Sequence, residues 1–449
     1  MQARRLAIDM SAPAAIAVQR ELPRRLGLLD STSIVVGTMI GSAIFLVPNI
    51  IAQNVPSAPA ILLLWILAGV LSLFGALAYA ELGAMMPATG GQYVYLREAW
   101  GPSWAFLCGW TFFLAARSGA TASAAAGFAI YVAYFVPMGP ATSRILAAFL
   151  ILALTLVNYR GVRFGAAVQN VFTFLKVLGL MVLIGSTLGV APNHGPTASA
   201  PYAGFSVAHF GTALVACLWA YNGWFTISLV GGEIRNPQRN LPRSIVLGTV
   251  LVTLVYALAN WGYLRTMSLA EIAGADRVAA AAASRTMGGV GAAFVALIIV
   301  ISTLATTNAN TLTGSRLYFA QARDGLWFRR FGEIHPAFET PHIALVGQGI
   351  WTAILALSGS YLQLISYATI TFWIFYAMTI AGLMMLRRKS PAALRPYRMF
   401  GYPVTAVLFL AVSGGVVISA CISAPAPSAA GIFIVASGVP AYYLWRRRH

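Results

Sequence analysis

Acidic side chains are scarce in this 449-residue chain. Asp and Glu number 11 against 29 Lys and Arg, and charged residues of both signs make up only 9% of the sequence, far below the roughly 25% of a soluble globular domain. A soluble fold is excluded on that ground. Cysteine is equally sparse: Cys108, Cys217 and Cys421 lie in or beside apolar segments, at spacings that fit neither a disulfide framework nor a metal or redox motif. They read as small buried hydrophobes. The histidines His194, His209, His335, His342 and His449 all fall in loops or at segment ends, so no cluster of His, Asp, Glu or Cys offers a frame for a metal or for acid-base chemistry. No GxxxxGK[ST] stretch is present to cradle a nucleotide phosphate. Neither an enzyme, nor a cofactor protein, nor a nucleotide-driven pump is expected. Residues 1–26 carry five arginines and no apolar run, so they do not read as a cleavable signal peptide.

What the chain has in abundance is apolar length. It is 59% hydrophobic, and runs of about 18 residues or more, each able to cross roughly 30 Å of hydrocarbon as a helix, recur along it. Twelve spans are expected, centred near residues 40, 72, 115, 151, 177, 220, 253, 300, 349, 373, 411 and 436. The formal charge of +18 then has a topological meaning. With the N-terminus inside, 23 of the 29 basic residues fall on cytoplasmic segments, while only Arg144, Arg265, Arg277 and Arg285 fall outside. This bias puts both termini in the cytoplasm of a multi-pass protein of the inner (plasma) membrane. A nucleic-acid partner is not expected.

Two of the spans are interrupted. GTMIGSAIFLVP, residues 37–48, breaks the first with glycine and hydroxyl residues at Gly41 to Ala43, and WAYNGWFTIS, residues 219–228, breaks the sixth. Helical hydrogen bonds are given up at membrane depth only where the freed groups face protein, ligand or water, so paired breaks in two halves point to one substrate site. The sixth span follows the first at an offset of five, an odd number that reverses its orientation, the sign of an inverted repeat. The expected organisation is a tail over 1–26, a first five-helix repeat over 27–192, a second over 193–390, and two further helices over 391–449.

The backbone around Met39, Ile40, Gly41, Ser42 and Ala43 is expected to receive a carboxylate on free N–H groups at a half-helix start. At the second break the carbonyls of Trp219, Ala220 and Asn222 are expected to receive an ammonium, with Trp219 and Tyr221 covering the bound side chain. A zwitterion fits such a pair. Charge within the membrane is rare and marks function by default: Lys176 is the leading candidate, either as a titrating or fixed cation or as an ammonium tied to carbonyls freed by the first break. Arg117 reads as a snorkelling or span-pairing residue, and Glu81 as a border residue. In the eighth span Thr303, Thr307 and Asn310 share a face, which either hydrogen-bonds neighbouring helices or lines a pathway. GGQYVYLREAW reads as an amphipathic segment on the inner surface. Absence of acidic residues near either break favours neutral substrates.

GTMIGSAIF, YAELGAMMPATGGQYVYLREAWG, VQNVFTFLK, WAYNGWFTISLVGGEIRNPQRNLPRSI, GSRLYFAQARDG and RRKSPAALRPYRMFGYP together resemble the amino acid-polyamine-organocation superfamily, most closely the L-type amino acid transporters and their bacterial relatives. The resemblance implies an all-α integral membrane fold of twelve transmembrane helices, a leucine-transporter-like 5+5 inverted repeat with discontinuous helices 1 and 6. It implies sodium-independent secondary transport by alternating access. It assigns the substrate carboxylate to Gly41, Ser42 and Ala43, a gate to Trp219, and a sodium-site-mimicking cation to Lys176. Ala43 departs from the second glycine usual there, and Phe225 from an asparagine found in many L-type members. The loop FVPMGPATSR lacks the cysteine that bonds a heavy chain in animal members, so no disulfide-linked heavy chain is expected. A transporter of neutral L-amino acids, as exchanger or proton symporter, is the expected function; a cationic amino acid or polyamine exchanger and a non-transporting amino acid sensor are the alternatives.

Overall fold

The computed structural model describes residues 21–191, 206–358 and 361–446, side chains of 361–367 excluded. Most of the N-terminal tail, the boundary expected at 192/193 and the last three residues lie outside the described part. Among the described residues, nine helices are long and apolar enough to cross a membrane, and no strand is formed. Exposed apolar side chains such as Phe149, Phe174, Leu156 and Leu63 stud the outer faces of these helices, as hydrocarbon contact allows. Polar groups are turned inward.

The first span is three helices: α1 (Leu28–Met39), α2 (Ala43–Leu46) and α3 (Pro48–Asn54). Its break falls at residues 40–42, one residue earlier than expected, because Ala43 already starts α2. Then come α4 (Ala58–Met85), α5 (Gln92–Trp100), α6 (Pro102–Thr111), α7 (Arg117–Val132), α8 (Pro140–Tyr159) and α9 (Val162–Leu188). Five residues of wider π turn, Phe112–Ala116, join α6 to α7. The next segment, α10 (Val207–Ala220), ends at the second break, after which the chain turns and runs as a 3-10 helix over Thr226–Glu233. Helices α11 (Pro237–Thr266), α12 (Leu269–Gly274), α13 (Val278–Met287), α14 (Gly291–Arg323), α15 (His342–Ser358), α16 (Tyr361–Lys389), α17 (Val404–Ser423) and α18 (Pro425–Arg446) complete the bundle.

Helix packing is built around the broken span. α1 lies against α9, α11 and α14, while α4 pairs with α11, α7 with α14 and α8 with α15. Gly37 makes one of these approaches possible: a Cβ there would sit 1.9 Å from Gln169 Nε2 and 2.6 Å from Thr173 Oγ1 of α9. That close contact brings α9, and with it Lys176, onto the end of α1.

Basic loops gather at one end of the bundle and are locked by ion pairs. Glu233 and Arg316, both fully buried, meet through Nε at 2.7 Å and Nη2 at 3.1 Å. Glu81 is likewise fully buried, accepting Arg387 Nε at 2.9 Å and the Met399 N–H at 2.7 Å. A buried carboxylate persists only when so paired. The α5 segment departs from the expected surface helix: Tyr93 and Tyr95 are buried, and the Tyr93 hydroxyl donates to Asp324 at 2.7 Å. The segment packs against protein because the Tyr93 hydroxyl and the Arg97–Asp324 ion pair find partners there and the Tyr95 ring packs edge-on against Tyr79.

Candidate functional site

At the first break the helix stops at Met39, and the carbonyls of Gly37, Ile40 and Gly41 lose their helical partners. Side chains from two other helices replace them. Lys176 Nζ donates to Gly37 O and to Ile40 O, each at 2.6 Å, with Ser302 O at 3.5 Å. Ser302 Oγ donates to Ile40 O at 2.9 Å and Gly41 O at 3.2 Å, and Thr306 Oγ1 to Gly37 O at 3.2 Å. Lys176 is fully buried and its ammonium meets only carbonyl oxygens among the described residues. Hydrogen bonds to a charged group contribute about 1.5–3 kcal/mol each, which offsets the cost of burying an unpaired charge.

The second break is closed differently. The Asn222 N–H donates to Trp219 O at 3.1 Å, and the Tyr256 hydroxyl contacts Ala220 O at 3.1 Å and Met39 O at 2.9 Å. Two of the three carbonyls expected to stand free therefore already accept a hydrogen bond, since a carbonyl leaving a helix end turns to the nearest donor. Their second lone pairs remain. Gly223 has φ +132°, and a Cβ there would lie 3.0 Å from the Met39 backbone nitrogen. Only glycine lets the two breaks approach so closely.

Between the breaks lies a cavity of about 90 Å³ whose wall includes Met39, Gly41, Ser42, Ala43, Trp219, Ala220 and Asn222. Seven of the nine expected site residues are thus brought together. Ile40 and Tyr221 are not: both side chains are fully buried away from the cavity, and the Tyr221 hydroxyl donates to Trp65 O at 3.0 Å. Tyr221 cannot cover a bound side chain from there. Thr303, Thr306 and Asn310 of α14 join the wall, whereas Thr307 turns its hydroxyl onto Thr303 O at 2.8 Å.

Arg117 does not snorkel but pairs two spans, and it does so through neutral partners: it is 2% exposed, lines the cavity, and donates from α7 to Asn310 Oδ1 at 2.8 Å and Thr313 Oγ1 at 2.7 Å of α14. The π turn immediately before it, in which the Arg117 N–H bonds back to Phe112 O, rotates this part of α7 relative to α6. Such turns often accompany functional sites. Ala120, Ser123 and Ala124 follow on the same helix face; the run of small residues after Arg117 was the available signal for them. Phe225 and Phe372 supply apolar wall. Tyr256, which bridges the two breaks, gave no signal in the sequence beyond being a tyrosine within an apolar span. No carboxylate lines the cavity among the described residues, and those residues hold no group of three potential metal ligands.

Comparison with known proteins agrees with this architecture. Residues 26–442 match the amino acid permease family. The chain is 31% identical over 430 residues to the serine/threonine exchanger SteT of Bacillus subtilis, covering 95% of this chain and 98% of that one. It is 34% identical over 433 residues to the b(0,+)-type amino acid transporter 1 of Mus musculus, covering 94% and 88%. It is 33% identical over 440 residues to the large neutral amino acids transporter small subunit 2 of Rattus norvegicus, covering 94% and 81%. Sequence, helical bundle and relatives agree that this multi-pass membrane protein belongs to the amino acid permease family, within the amino acid-polyamine-organocation superfamily, a family of transporters and not of enzymes.

Proposed function

We propose that the chain carries neutral L-amino acids across the cytoplasmic membrane by sodium-independent alternating access, as an exchanger or a proton symporter. The observation that carries the reading is the cavity between the two helix breaks, polar at its backbone rims and free of carboxylates among its lining residues. In this reading the amino acid carboxylate sits against the backbone of Gly41, Ser42 and Ala43, and its ammonium against the remaining carbonyl lone pairs of Trp219, Ala220 and Asn222. Trp219 is the gate. Lys176 stands where a sodium ion would otherwise hold the broken helix to its neighbours, its ammonium on carbonyls of α1 and α14.

Twelve membrane-spanning helices in a 5+5 inverted repeat are part of the same proposal, with repeats over 27–192 and 193–390, two further helices over 391–449, and both termini cytoplasmic. Its support is reciprocity of contacts: α1 on α11 is matched by α10 on α4, α9 on α14 by α16 on α7, and α7 on α15 by α14 on α8. Exchanging the halves returns these three pairings. Neutral substrates are favoured by the buried Arg117 and Lys176 with no acid in the wall, and by two relatives named for serine/threonine exchange and for large neutral amino acids. With no cysteine in residues 135–144, no disulfide-linked heavy chain is needed.

Uptake of a labelled neutral amino acid into proteoliposomes tests this. Empty vesicles, vesicles preloaded with the same amino acid, and empty vesicles under an inward proton gradient are compared. Uptake only on preloading identifies an exchanger, with Lys176 a fixed cation; gradient-driven accumulation in empty vesicles identifies proton symport, with Lys176 the candidate titrating group. Competition by arginine or putrescine but not by leucine or alanine overturns the neutral reading, and absence of accumulation in all three overturns transport.

A further inference from the structure

The second break carries a hydrogen-bond donor that no group among the described residues accepts. Asn222 is part of the cavity wall, and its Oδ1 accepts the Tyr376 hydroxyl at 2.7 Å. With the amide oxygen so engaged, the amide N–H₂ is turned away from Tyr376 and makes no hydrogen bond among the described residues. Tyr376 itself stands behind the wall. It is 2% exposed and boxed by Tyr79, Trp224, Phe225, Phe372 and Trp373, with ring centroids 5.1–6.4 Å from its own. A ring held on this many sides cannot swing its hydroxyl elsewhere, so the tyrosine holds one rotamer and the rotamer holds the amide.

Neighbouring groups have the same sense. Arg117 places its guanidinium carbon 5.5 Å from the Phe225 ring centre, spends its Nη groups on Asn310 and Thr313, and leaves Nε unpartnered. The two threonine hydroxyls contributed by α14 turn to the backbone: Thr303 Oγ1 donates to Ile299 O at 2.7 Å and Thr306 Oγ1 to Gly37 O at 3.2 Å. No carboxylate is present in the wall to accept from the Asn222 amide. Once the backbone rims hold the carboxylate and ammonium of an amino acid, the space left to its side chain lies by Asn222, Arg117, Phe225 and Phe372. That space offers donors and aromatic faces.

We propose that Tyr376 is a positioning residue that fixes Asn222 as a hydrogen-bond donor to the substrate side chain, so that the site selects neutral amino acids bearing a side-chain hydroxyl or carbonyl oxygen over their aliphatic isosteres. This rests on the reading of the cavity as an amino acid site. A donor that a bound substrate covers and an aliphatic side chain leaves unmet is a cost that an oxygen-bearing one avoids.

Threonine and valine differ by one hydroxyl in place of one methyl, and serve as the pair. In proteoliposomes the wild type takes up threonine with a KM about tenfold below that of valine, one hydrogen bond's worth of discrimination. In Tyr376→Phe the threonine KM rises until the ratio approaches one, while a loss of packing alone moves both KM values together. Asn222→Ala collapses the ratio in the same way and stands in should Tyr376→Phe fail to reach the membrane. A wild type that takes up threonine and valine equally, or a Tyr376→Phe protein that keeps the wild-type ratio, overturns the inference and leaves neutral amino acid transport standing. A wild type that takes up neither overturns the transport reading beneath it.

Discussion

The two helix breaks do the same geometric job with opposite means. At the first, carbonyls of Gly37, Ile40 and Gly41 are met from outside by an ammonium and two hydroxyls on α9 and α14. At the second, the chain closes on itself through the Asn222 N–H and is packed by Trp224 and Phe225 against Tyr79, Tyr376 and Phe409. One break depends on a charge held by a distant part of the chain; the other depends on local turns and aromatic packing. The Tyr256 hydroxyl reaches both, through Met39 O and Ala220 O.

That contrast can be broken first at Lys176. Lys176→Ala removes two charge-assisted bonds of about 1.5–3 kcal/mol each, and uptake is expected to fall at least about a hundredfold; an unchanged rate and pH profile leaves Lys176 without a part in transport. The chemistry of the first break can be sharpened by ligand: leucinamide, which lacks the carboxylate, is expected to compete about 10- to 100-fold less well than leucine, the value of one charge-assisted bond. Equal competition contradicts a carboxylate at Gly41 to Ala43.

Two smaller effects separate the second break from its link to the first. Tyr256→Phe removes the hydroxyl shared between them and is expected to lower uptake about tenfold, one buried hydrogen bond, with a fall in unfolding temperature to match. Trp219→Ala, which opens the wall without touching a backbone bond, is expected to retain binding and lose several-fold in turnover; wild-type exchange rates in that variant remove the gate.

The smallest effect lies outside both breaks and is a control on them. Arg285 and the Ser268 N–H hold the Glu271 carboxyl down to about 2 from its ordinary 4.5. A carboxylate with a depressed folded-state pKa stabilises fully above the ordinary value and loses that contribution as pH falls from 4.5 towards 2. The gap in unfolding temperature between wild type and Glu271→Gln is therefore expected at pH 6 and expected to close across that acid range. The pair is about a third exposed, so its contribution is under about 1 kcal/mol, and transport between pH 6 and 8 is expected to be insensitive to it.

Much of the site was legible because membrane burial makes polar residues conspicuous. Gly41 and Gly223 sit where spans lose their ladder, and Lys176 is an ammonium in a segment that otherwise holds apolar and neutral groups; each stands out against its neighbours. Residues defined by direction did not stand out. Tyr221 and Asn222 are adjacent in sequence, yet one points to Trp65 O and the other into the cavity, a difference of rotation that turn geometry sets after α10 has ended. Thr303 and Thr307 lie one turn apart on α14, and only the first reaches the wall. For Arg117 the sequence left snorkelling and span-pairing both open, because its partners, Asn310 and Thr313, are almost two hundred positions away and neutral.

By itself the sequence determined the membrane class, the helical fold, the two breaks and the family. Those follow from composition and from local loss of helical pattern, which each segment carries within itself. Only the tertiary structure decided that Lys176 meets carbonyls of the first break, that Tyr256 joins the two breaks, and that Arg117 and Asn222 face one cavity. Each depends on how helices far apart in the chain are rotated and how closely glycines such as Gly37 and Gly223 let them approach, and no segment encodes its neighbour's rotation alone.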